Sequence, residues 1–345
     1  MERTFYVLVP VYNTQNYIDA CIQSVLEQTY ENFRLILVDD GTPDKAGEIC
    51  DAYAALDPRV TVIHKENGGL ISARRAAIGR MLREAQEDDF VVFLDSDDSL
   101  KHHTLQVLSD TIAQHNCDMV VYGMDRVFEG KVLEAFKPEK SFIGTIESKQ
   151  QLYRTVFFSS SYNPLCRKAI SVKLLSDDDY SSYYHIGQGE DLLQSVPVYG
   201  KCRKAVFIKD SLYNYTFNPA SISNTYRYET YKIDSTVRQT VINFLKNEES
   251  WSDRDMERYL DYARGRVENL LMRIASFRTE KANKIELFQN VAADVCYREL
   301  IAGAKKTDRL LCLLRDGKYD RMLKMLRNRN AVRQLKKWIK GLLAR

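Results

Sequence analysis

The sequence predicts an α/β fold in which helices flank a mostly parallel sheet, followed by a helical C-terminal region. Within residues 1–128, short apolar runs rich in Val and Ile alternate with stretches of helical periodicity. Each run is continuously apolar, which is typical of strands covered on both faces. From about residue 226 onward the pattern becomes charged and helical. These observations together favour a sheet domain with a helical extension.

Five apolar runs are the predicted strands: TFYVLVPVY (4–12), FRLILVDD (33–40), RVTVIHK (59–65), FVVFLD (90–95) and CDMVVYGM (117–124). Helical patterns separate them, around Ile18–Leu26, around Ile49–Leu56, over 70–86 and over 103–115. Strand–helix–strand alternation implies parallel strands joined by right-handed crossovers. Ligands of such sheets bind beyond the carboxyl ends of the strands.

Composition excludes several classes of protein. The 345 residues suggest one large domain or two smaller ones, and the net charge of +3 is too small to indicate a nucleic-acid partner. No stretch approaches the roughly 18 apolar residues of a membrane span. The opening MERTFYVLVPVY lacks the features of a signal peptide. Seven cysteines without a CxxC pair predict reduced thiols in a cytoplasmic protein, and no zinc pattern occurs.

The segment FVVFLDSDDSL (90–100) gathers three carboxylates at the end of a predicted strand. They could cap a helix, bind a divalent cation, or include a nucleophile that becomes phosphorylated. The other strand ends carry PVYN, DDGTPD and KENGG. Because carboxyl ends of parallel strands meet at one edge, the four segments together favour a site for a metal and a ligand.

The motifs VLVPVYN, LILVDDGTPD, ENGGLISARRAAI and FVVFLDSDD resemble, in this order, those of a family 2 nucleotide-sugar glycosyltransferase with the GT-A-type fold. The resemblance covers about residues 4–224. It implies a transferase domain over 1–225, with a nucleotide-binding half (1–128) and an acceptor half (129–225), before the helical region 226–345. It also implies inverting transfer from a UDP-sugar, assisted by Mn²⁺ or Mg²⁺, to a hydroxyl of a glycan, glycolipid or protein-linked acceptor.

The resemblance assigns donor contacts to ten residues: Pro10, Tyr12, Asn13, Asp39, Asp40, Asn67, Gly69, Arg74, Asp95 and Ser96. Tyr12 would pack on uracil and ribose, unless it serves ordinary strand-end packing. Asp39 or Asp40, with Asp40 favoured, would accept a hydrogen bond from the uracil N–H. Arg74 would meet phosphate oxygens. The next residue is Arg75, where the family usually has Asn, and this departure concerns the local phosphate or ribose contacts.

Further carboxylates receive chemical roles from the same resemblance. Asp97, with Asp95, would hold the cation, and Asp98 would cap the following helix. In GEDLL (189–193), Asp191 would be the general base that takes the acceptor proton, although a helix-start carboxylate pair is the alternative.

The acceptor side is assigned to Tyr183, Tyr184, His185 and Glu190. Flat rings suit the apolar faces of sugars, and packing of a surface loop is the equal alternative. His185 is less favoured as a metal ligand. Ser221 and Ser223 are weak candidates for a diphosphate contact.

Two other functions stay open from the sequence: a phosphatase of the aspartyl-phosphate type, and a catalytically silent nucleotide-sugar binder. The C-terminal residues 321–345 hold nine Lys or Arg and no Asp or Glu, with Val332, Leu335, Ile339 and Leu342 on one helical face. This predicts either a basic helix lying on an anionic membrane surface or one that docks a partner. A cytoplasmic location at the inner face of the cell membrane would follow from the first of these. Homo-oligomerisation also stays open.

Overall fold

The computed structural model describes residues 3–217 and 230–329, which belong to two compact units divided between residues 222 and 223. The first unit holds the sheet and the second is helical. None of the helices in these described ranges has the length and apolarity that a membrane crossing requires.

The first unit contains ten strands and six α-helices within its described residues. The strands are β1 (Phe5–Val11), β2 (Phe33–Asp39), β3 (Val60–His64), β4 (Phe90–Phe93), β5 (Ser99–Leu100), β6 (Met119–Phe128), β7 (Lys131–Phe136), β8 (Gly144–Ile146), β9 (Lys168–Ser171) and β10 (Ala205–Thr216). The helices are α1 (Ile18–Leu26), α2 (Ala46–Leu56), α3 (Leu70–Leu82), α4 (Thr104–His115), α5 (Lys149–Phe157) and α6 (Glu190–Lys201). All five predicted strands and all four predicted helices are present.

The sheet runs in the order β3-β2-β1-β4-β9-β6-β10-β5, with β7 beside β6 and β8 beside β10. The four nucleotide-side strands pair in parallel, as the alternating pattern predicts. Antiparallel β9 lies between β4 and β6. The local sequence pattern does not predict this position, because β9 comes later in the chain than both of its neighbours. Because β9 is antiparallel to both β4 and β6, these two strands run in the same direction. The expected α/β class with a flanked central sheet is confirmed.

The carboxyl ends of the first strands are aligned by register. Val11 pairs with Asp39, and Asp39 pairs with His64, so three loops leave the sheet at one level. All seven residues of β1 are buried, which fits a central strand covered on both faces. Helix α1 buries Ile18, Cys21, Ile22 and Val25, at the three- and four-residue spacing of one helical face. This packing fixes the edge from which the functional loops project.

Two adjacent basic side chains, those of Arg167 and Lys168, are buried at the start of β9. Arg167 donates to the carbonyl oxygens of Tyr122, Ser161 and Phe136. Lys168 is fully buried and donates to the carbonyl oxygens of Asn163 and Pro164 at 3.0 and 2.8 Å. Burial lowers the pKa of Lys168 to about 7, and the charge of Asp191 opposes this effect.

The second unit packs the helices α7 (Thr230–Lys246), α8 (Asp253–Ser276), α9 (Lys281–Ala293), α10 (Val295–Ala302) and α11 (Arg309–Arg315). Residues 319–329 are also helical, and they bury Met322, Leu323 and Leu326. The first part of the basic segment 321–345 therefore belongs to a packed core. Its predicted apolar face, Val332 to Leu342, lies outside the described residues.

Lys168 predicts a measurable pH dependence of stability. Between pH values of about 7 and 10.5 the unfolded chain keeps the Lys168 proton while the folded chain has lost it, so the unfolded state binds more protons and stability rises with pH. Lys168→Met removes this dependence. Relative to the wild type, the variant should lose stability by up to about 1.4 kcal/mol for each pH unit across that window.

Urea unfolding at several pH values between about 6 and 10 checks this prediction. Lys173→Met is the control, because Lys173 is an exposed lysine of the same segment. A difference between Lys168→Met and wild type that stays constant with pH would contradict the assignment.

Candidate active site

The first two strand-end loops are tied together by short hydrogen bonds. The Asn13 N–H donates to the Thr42 hydroxyl at 2.7 Å, and the Thr42 N–H donates to Asp39 Oδ1 at 2.8 Å. Tyr12 stands at this edge with 49% of its surface exposed, whereas Pro10 is buried within β1. An exposed ring held beside an ordered polar loop offers a flat face to a ligand.

Asp40 organises the third loop. Its Oδ1 accepts from the Lys65 ammonium at 2.5 Å and from the Gly68 N–H at 3.0 Å, and its Oδ2 accepts from the Gly69 N–H at 2.8 Å. Gly69 has a φ of +86°, which favours glycine. Asp40 is buried, and the flexible Lys65 side chain that covers it is 24% exposed. A ligand N–H could therefore reach Asp40 if the Lys65 ammonium moved aside. Asn67 precedes this turn and is exposed.

Asp39 interacts with the side chain of His64. His64 Nδ1 lies 2.8 Å from Asp39 Oδ2, and His64 Nε2 lies 2.9 Å from Asp51 Oδ1. These two hydrogen bonds raise the pKa of His64 above its usual value. The two neighbouring aspartates thus differ, since Asp39 joins a charged surface cluster and Asp40 holds a backbone turn.

Arg74 lies at the centre of the site. Its Nη1 donates to Asp191 Oδ1 at 2.7 Å, its Nη2 donates to Asp95 Oδ1 at 3.0 Å, and Glu190 Oε1 lies 4.0 Å from Nη1. The Arg74 side chain is 2% exposed, whereas the Asp95 and Asp191 side chains are 35% and 24% exposed. One buried guanidinium on α3 therefore joins the end of the fourth strand to the start of α6.

The surrounding protein shifts the pKa values of Arg74, Glu190 and Asp95. Burial by itself lowers the pKa of Arg74, but the charges of Asp191, Asp95 and Glu190 raise it above its usual value. Burial raises the pKa of Glu190 to about 7, and the charge of Asp191 adds to that effect. Burial also raises the pKa of Asp95, with Arg74 opposing and the charges of Asp191 and Asp97 reinforcing it. Three carboxylates, those of Asp191, Asp95 and Glu190, thus lie around one guanidinium.

The carboxylates of Asp95 and Asp97 are of the type that binds a hard divalent cation. Asp95 and the partly exposed Asp97 lie close enough for the charge of Asp97 to raise the pKa of Asp95. Within residues 3–217 and 230–329, no group of three or more His, Cys, Asp or Glu side chains could hold a metal ion. Mg²⁺ commonly takes one or two carboxylates and completes its shell with water and phosphate oxygens. The chemistry of Asp95 and Asp97 suits such a shared site.

Asp98 does not cap the following helix, so that expectation is wrong. Helix α4 begins at Thr104, well beyond it. Asp98 is instead buried, accepting from the Tyr213 hydroxyl at 2.6 Å and from the Thr216 N–H at 2.7 Å. The Tyr213 oxygen also accepts from the Asp95 N–H at 3.2 Å. Strand β10 thereby holds the aspartate cluster in place. Ser96, within that cluster, is buried.

Of the residues assigned to the acceptor side, Tyr183, Tyr184 and His185 precede α6 and Glu190 begins it. Tyr183 and Tyr184 are partly exposed and His185 is exposed, while Ile186 is buried. Gly189, with a φ of +81°, turns the chain into α6, whose first two residues are Glu190 and Asp191. The turn brings both carboxylates to Arg74. Ser221 and Ser223 lie outside the described residues.

Some site residues were not found from the sequence, because their partners lie far away along the chain. Tyr213 is 118 positions from Asp95, and its place in a tyrosine-rich strand gave no indication of this contact. Lys65 offered a local signal, since it directly precedes the ENGG segment that its partner Asp40 binds. The pairing of Arg74 with Asp191 spans 117 positions and was also missed.

Comparisons with known proteins show which family the chain is similar to. The family model described as glycosyl transferase family 2 matches residues 6–175. Glycosyltransferase GlyG of Streptococcus pneumoniae serotype 4 is 30% identical over 233 residues, covering 65% of this chain and 74% of the relative. Uncharacterized glycosyltransferase EpsJ of Bacillus subtilis is 32% identical over 229 residues, and the match covers 63% of this chain and 62% of EpsJ.

Among solved structures, residues 1–349 of Staphylococcus aureus TarS in complex with UDP-GlcNAc match with a TM-score of 0.69 and 20% identity. The match covers 95% of this chain and 92% of that one, which establishes the GT-A fold. TarS is named a poly(ribitol-phosphate) β-N-acetylglucosaminyltransferase. From the family model and the GlyG relationship, together with the motifs at the four strand ends, this chain belongs to the family 2 glycosyltransferases.

Proposed function

We propose that this chain is an inverting, cation-dependent glycosyltransferase that moves a sugar from a UDP-sugar to a hydroxyl of a glycan, glycolipid or protein-linked acceptor. The observation that carries the proposal is the placement of Arg74 between Asp95, on the expected donor side, and Asp191, on the expected acceptor side. The UDP-GlcNAc complex of TarS supports a UDP-linked donor.

The donor would occupy the edge where the first four strands end. Tyr12 would stack on the base and ribose, with Asn13 holding its loop in place through Thr42. Asp40 would accept the uracil N–H after Lys65 moves aside, which disfavours cytosine because its ring nitrogen carries no hydrogen at that position. The turn at Gly69 would lie beside the nucleotide, and its positive φ and the close Tyr184 carbonyl oxygen both require glycine there.

Asp97 and Asp95 would hold Mn²⁺ or Mg²⁺. When bound, such a cation stabilises the negative charge that develops on the departing UDP. Asp98 and Tyr213 would keep the aspartate loop in position for this role.

Asp191 would act as the general base. The acceptor O–H proton passes to its carboxylate as the acceptor oxygen forms a bond to the anomeric carbon. The bond from that carbon to the diphosphate oxygen breaks, and its electron pair leaves with UDP. Attack opposite the leaving group inverts the anomeric configuration. Arg74 would orient Asp191 through the 2.7 Å hydrogen bond to Oδ1.

Glu190 is the rival base. Its pKa of about 7 is well matched to proton transfer near neutrality. However, Glu190 is more buried than Asp191, with side chains 12% and 24% exposed. Greater exposure favours Asp191 as the group that meets an incoming hydroxyl.

The alternative functions have less support. Membership of the glycosyltransferase family removes the reason to consider an aspartyl-phosphate-type phosphatase. A silent nucleotide-sugar binder would have no need for the exposed part of the Asp191 carboxylate, which an acceptor hydroxyl could reach. Release of UDP from UDP-GlcNAc, measured with and without Mn²⁺ and compared with release of phosphate from a phosphoester, separates the three functions.

The proposed cation site predicts that UDP binding depends on Mn²⁺ or Mg²⁺. Asp97→Asn should weaken UDP binding in Mn²⁺ by at least about tenfold, because a neutral amide is a poorer ligand for a hard cation. Titration calorimetry with UDP measures this. Asp110→Asn is the control, since Asp110 is an exposed aspartate on α4. Equal UDP affinity in chelator and in Mn²⁺ would exclude the cation.

The base assignment predicts different outcomes for neighbouring substitutions. Asp191→Asn should lower transfer by roughly 10²–10⁴ with little change in UDP affinity, because it removes the proton acceptor. Glu190→Gln should have a much smaller effect, because Gln resembles the protonated form that Glu190 already populates near its pKa of about 7. Transfer rate and UDP affinity are measured on both variants. An active Asp191→Asn beside an inactive Glu190→Gln would reverse the assignment.

The basic segment predicts binding to anionic membranes. Residues 330–345 contain five Lys or Arg at 333, 336, 337, 340 and 345. A chain that ends at residue 329 keeps the buried Met322, Leu323 and Leu326, so it should remain folded. It should float with anionic vesicles less than the full chain does, and the difference should shrink at high salt. Equal flotation of both chains would show that the segment is not an anchor.

A further inference from the structure

Helix α3 contacts the segment 176–189, which precedes the proposed base, at several points along its length. At its start, a Cβ on Gly69 would lie 2.9 Å from the Tyr184 carbonyl oxygen, so only glycine permits this close approach. Further along α3, a Cβ on Gly79 would lie 3.4 Å from Asp177 Oδ1. Arg75 lies between these points. Segment 176–189 is therefore packed along a helix that also carries the central Arg74.

Arg75 holds this segment through three contacts. Its Nη2 donates to the Ser176 carbonyl oxygen, and Asp177 Oδ1 lies 3.6 Å from the same nitrogen. Its guanidinium carbon lies 5.0 Å from the centroid of the Tyr180 ring, within the range of a cation–π interaction. The Arg75 side chain is 10% exposed and Tyr180 is 9% exposed. The interaction is thus largely shielded from water. A cation–π interaction is stronger at such a buried site than at an exposed one.

Tyr180 connects Arg75 to the partly exposed Tyr183. The centroids of the Tyr180 and Tyr183 rings are 6.0 Å apart, and the Tyr183 N–H donates to the Tyr180 carbonyl oxygen at 2.8 Å. The Ile186 N–H donates to the Tyr183 carbonyl oxygen at 2.9 Å, and Ile186 is buried. Tyr183 and Tyr184 are therefore partly exposed on a short turn that is fixed on both sides.

We propose that Arg75 is a positioning residue for the acceptor, which through Tyr180 holds Tyr183 and Tyr184 as a rigid aromatic wall for the apolar face of a neutral pyranoside. This inference rests on the proposed function and deepens it by naming the acceptor side of the site. It assigns Arg75 to the acceptor rather than to donor phosphate or ribose. A fixed ring binds a sugar face better than a mobile one, because less conformational entropy is lost on binding.

Binding of methyl β-D-glucopyranoside, a neutral probe with an apolar face, tests the inference by saturation-transfer NMR on the full chain with UDP and Mn²⁺ present. Arg75→Met keeps the aliphatic stem and loses the guanidinium, so apparent affinity for the probe should fall about three- to tenfold. Arg75→Lys retains a cation over the ring and should restore part of that loss. Tyr180→Leu should match Arg75→Met, whereas Tyr180→Phe, which keeps the ring face, should bind like wild type.

UDP affinity, measured by calorimetry on the same variants, separates a positioning role from general damage. Arg75→Met should leave UDP affinity unchanged, while probe binding falls. Arg80→Met is the matched control, because Arg80 lies on the same helix and pairs with Glu84 at the surface. That variant should alter neither measurement.

Three results would overturn the inference: no contact between wild type and the probe, equal probe binding in wild type and Arg75→Met, or a loss of UDP affinity in Arg75→Met. Failure of the proposed function would give a different result, since wild type itself would then either fail to bind UDP or release no UDP from UDP-GlcNAc in the assay described above. An intact UDP site with unaltered probe binding would thus reject the role of Arg75 alone.

Discussion

The site depends on the ion pairs that the buried guanidinium of Arg74 forms with Asp95 and Asp191. Placing an unpaired charge in the interior is costly, so Arg74 requires its carboxylate partners. Asp95 follows β4 and Asp191 opens α6, and the chain brings both within 3.0 Å of Arg74. The antiparallel insertion of β9 beside β4, the left-handed Gly189 before α6 and the packing of α3 all have to be compatible with this ion pair.

Helix α3 consequently serves two sides of the site. Its N-terminal turn is tied to Asp40 through Gly69, its middle holds Asp95 and Asp191 through Arg74, and Arg75 holds the segment before α6. A glycosyltransferase must bring a sugar nucleotide and an acceptor together while the base stays away from the leaving diphosphate. One rigid helix that contacts both sides can maintain that separation, since helices hold side chains more precisely than loops do.

The sequence predicted what depends on local pattern and could not predict what depends on distant contacts. Apolar runs placed the strands, and four strand-end motifs predicted a site at one edge of the sheet, where the structure aligns the ends of the first three strands. The insertion of β9 between β4 and β6 was not predictable, because nothing local marks which strands become neighbours. Asp98 looked like a helix cap for the same reason, since its partner Tyr213 lies 115 positions away. In the sequence, Arg75 was notable only because the family usually has Asn at that position. Its contact with Tyr180 supplies a structural reason for the arginine.

A double-mutant cycle on Arg74 and Asp191 tests the central interaction most directly. The free energy of unfolding is measured for wild type, Arg74→Met, Asp191→Asn and the double variant, with Arg80→Met and Glu84→Gln as a surface pair for comparison. Arg74→Met alone should cost about 3–5 kcal/mol, because it leaves carboxylates without their buried partner. Its cost should fall by at least about 1 kcal/mol in the Asp191→Asn background, whereas the surface pair should couple by less than that. If the effects of Arg74→Met and Asp191→Asn add to within about 0.5 kcal/mol, Arg74 does not join the two sides of the site.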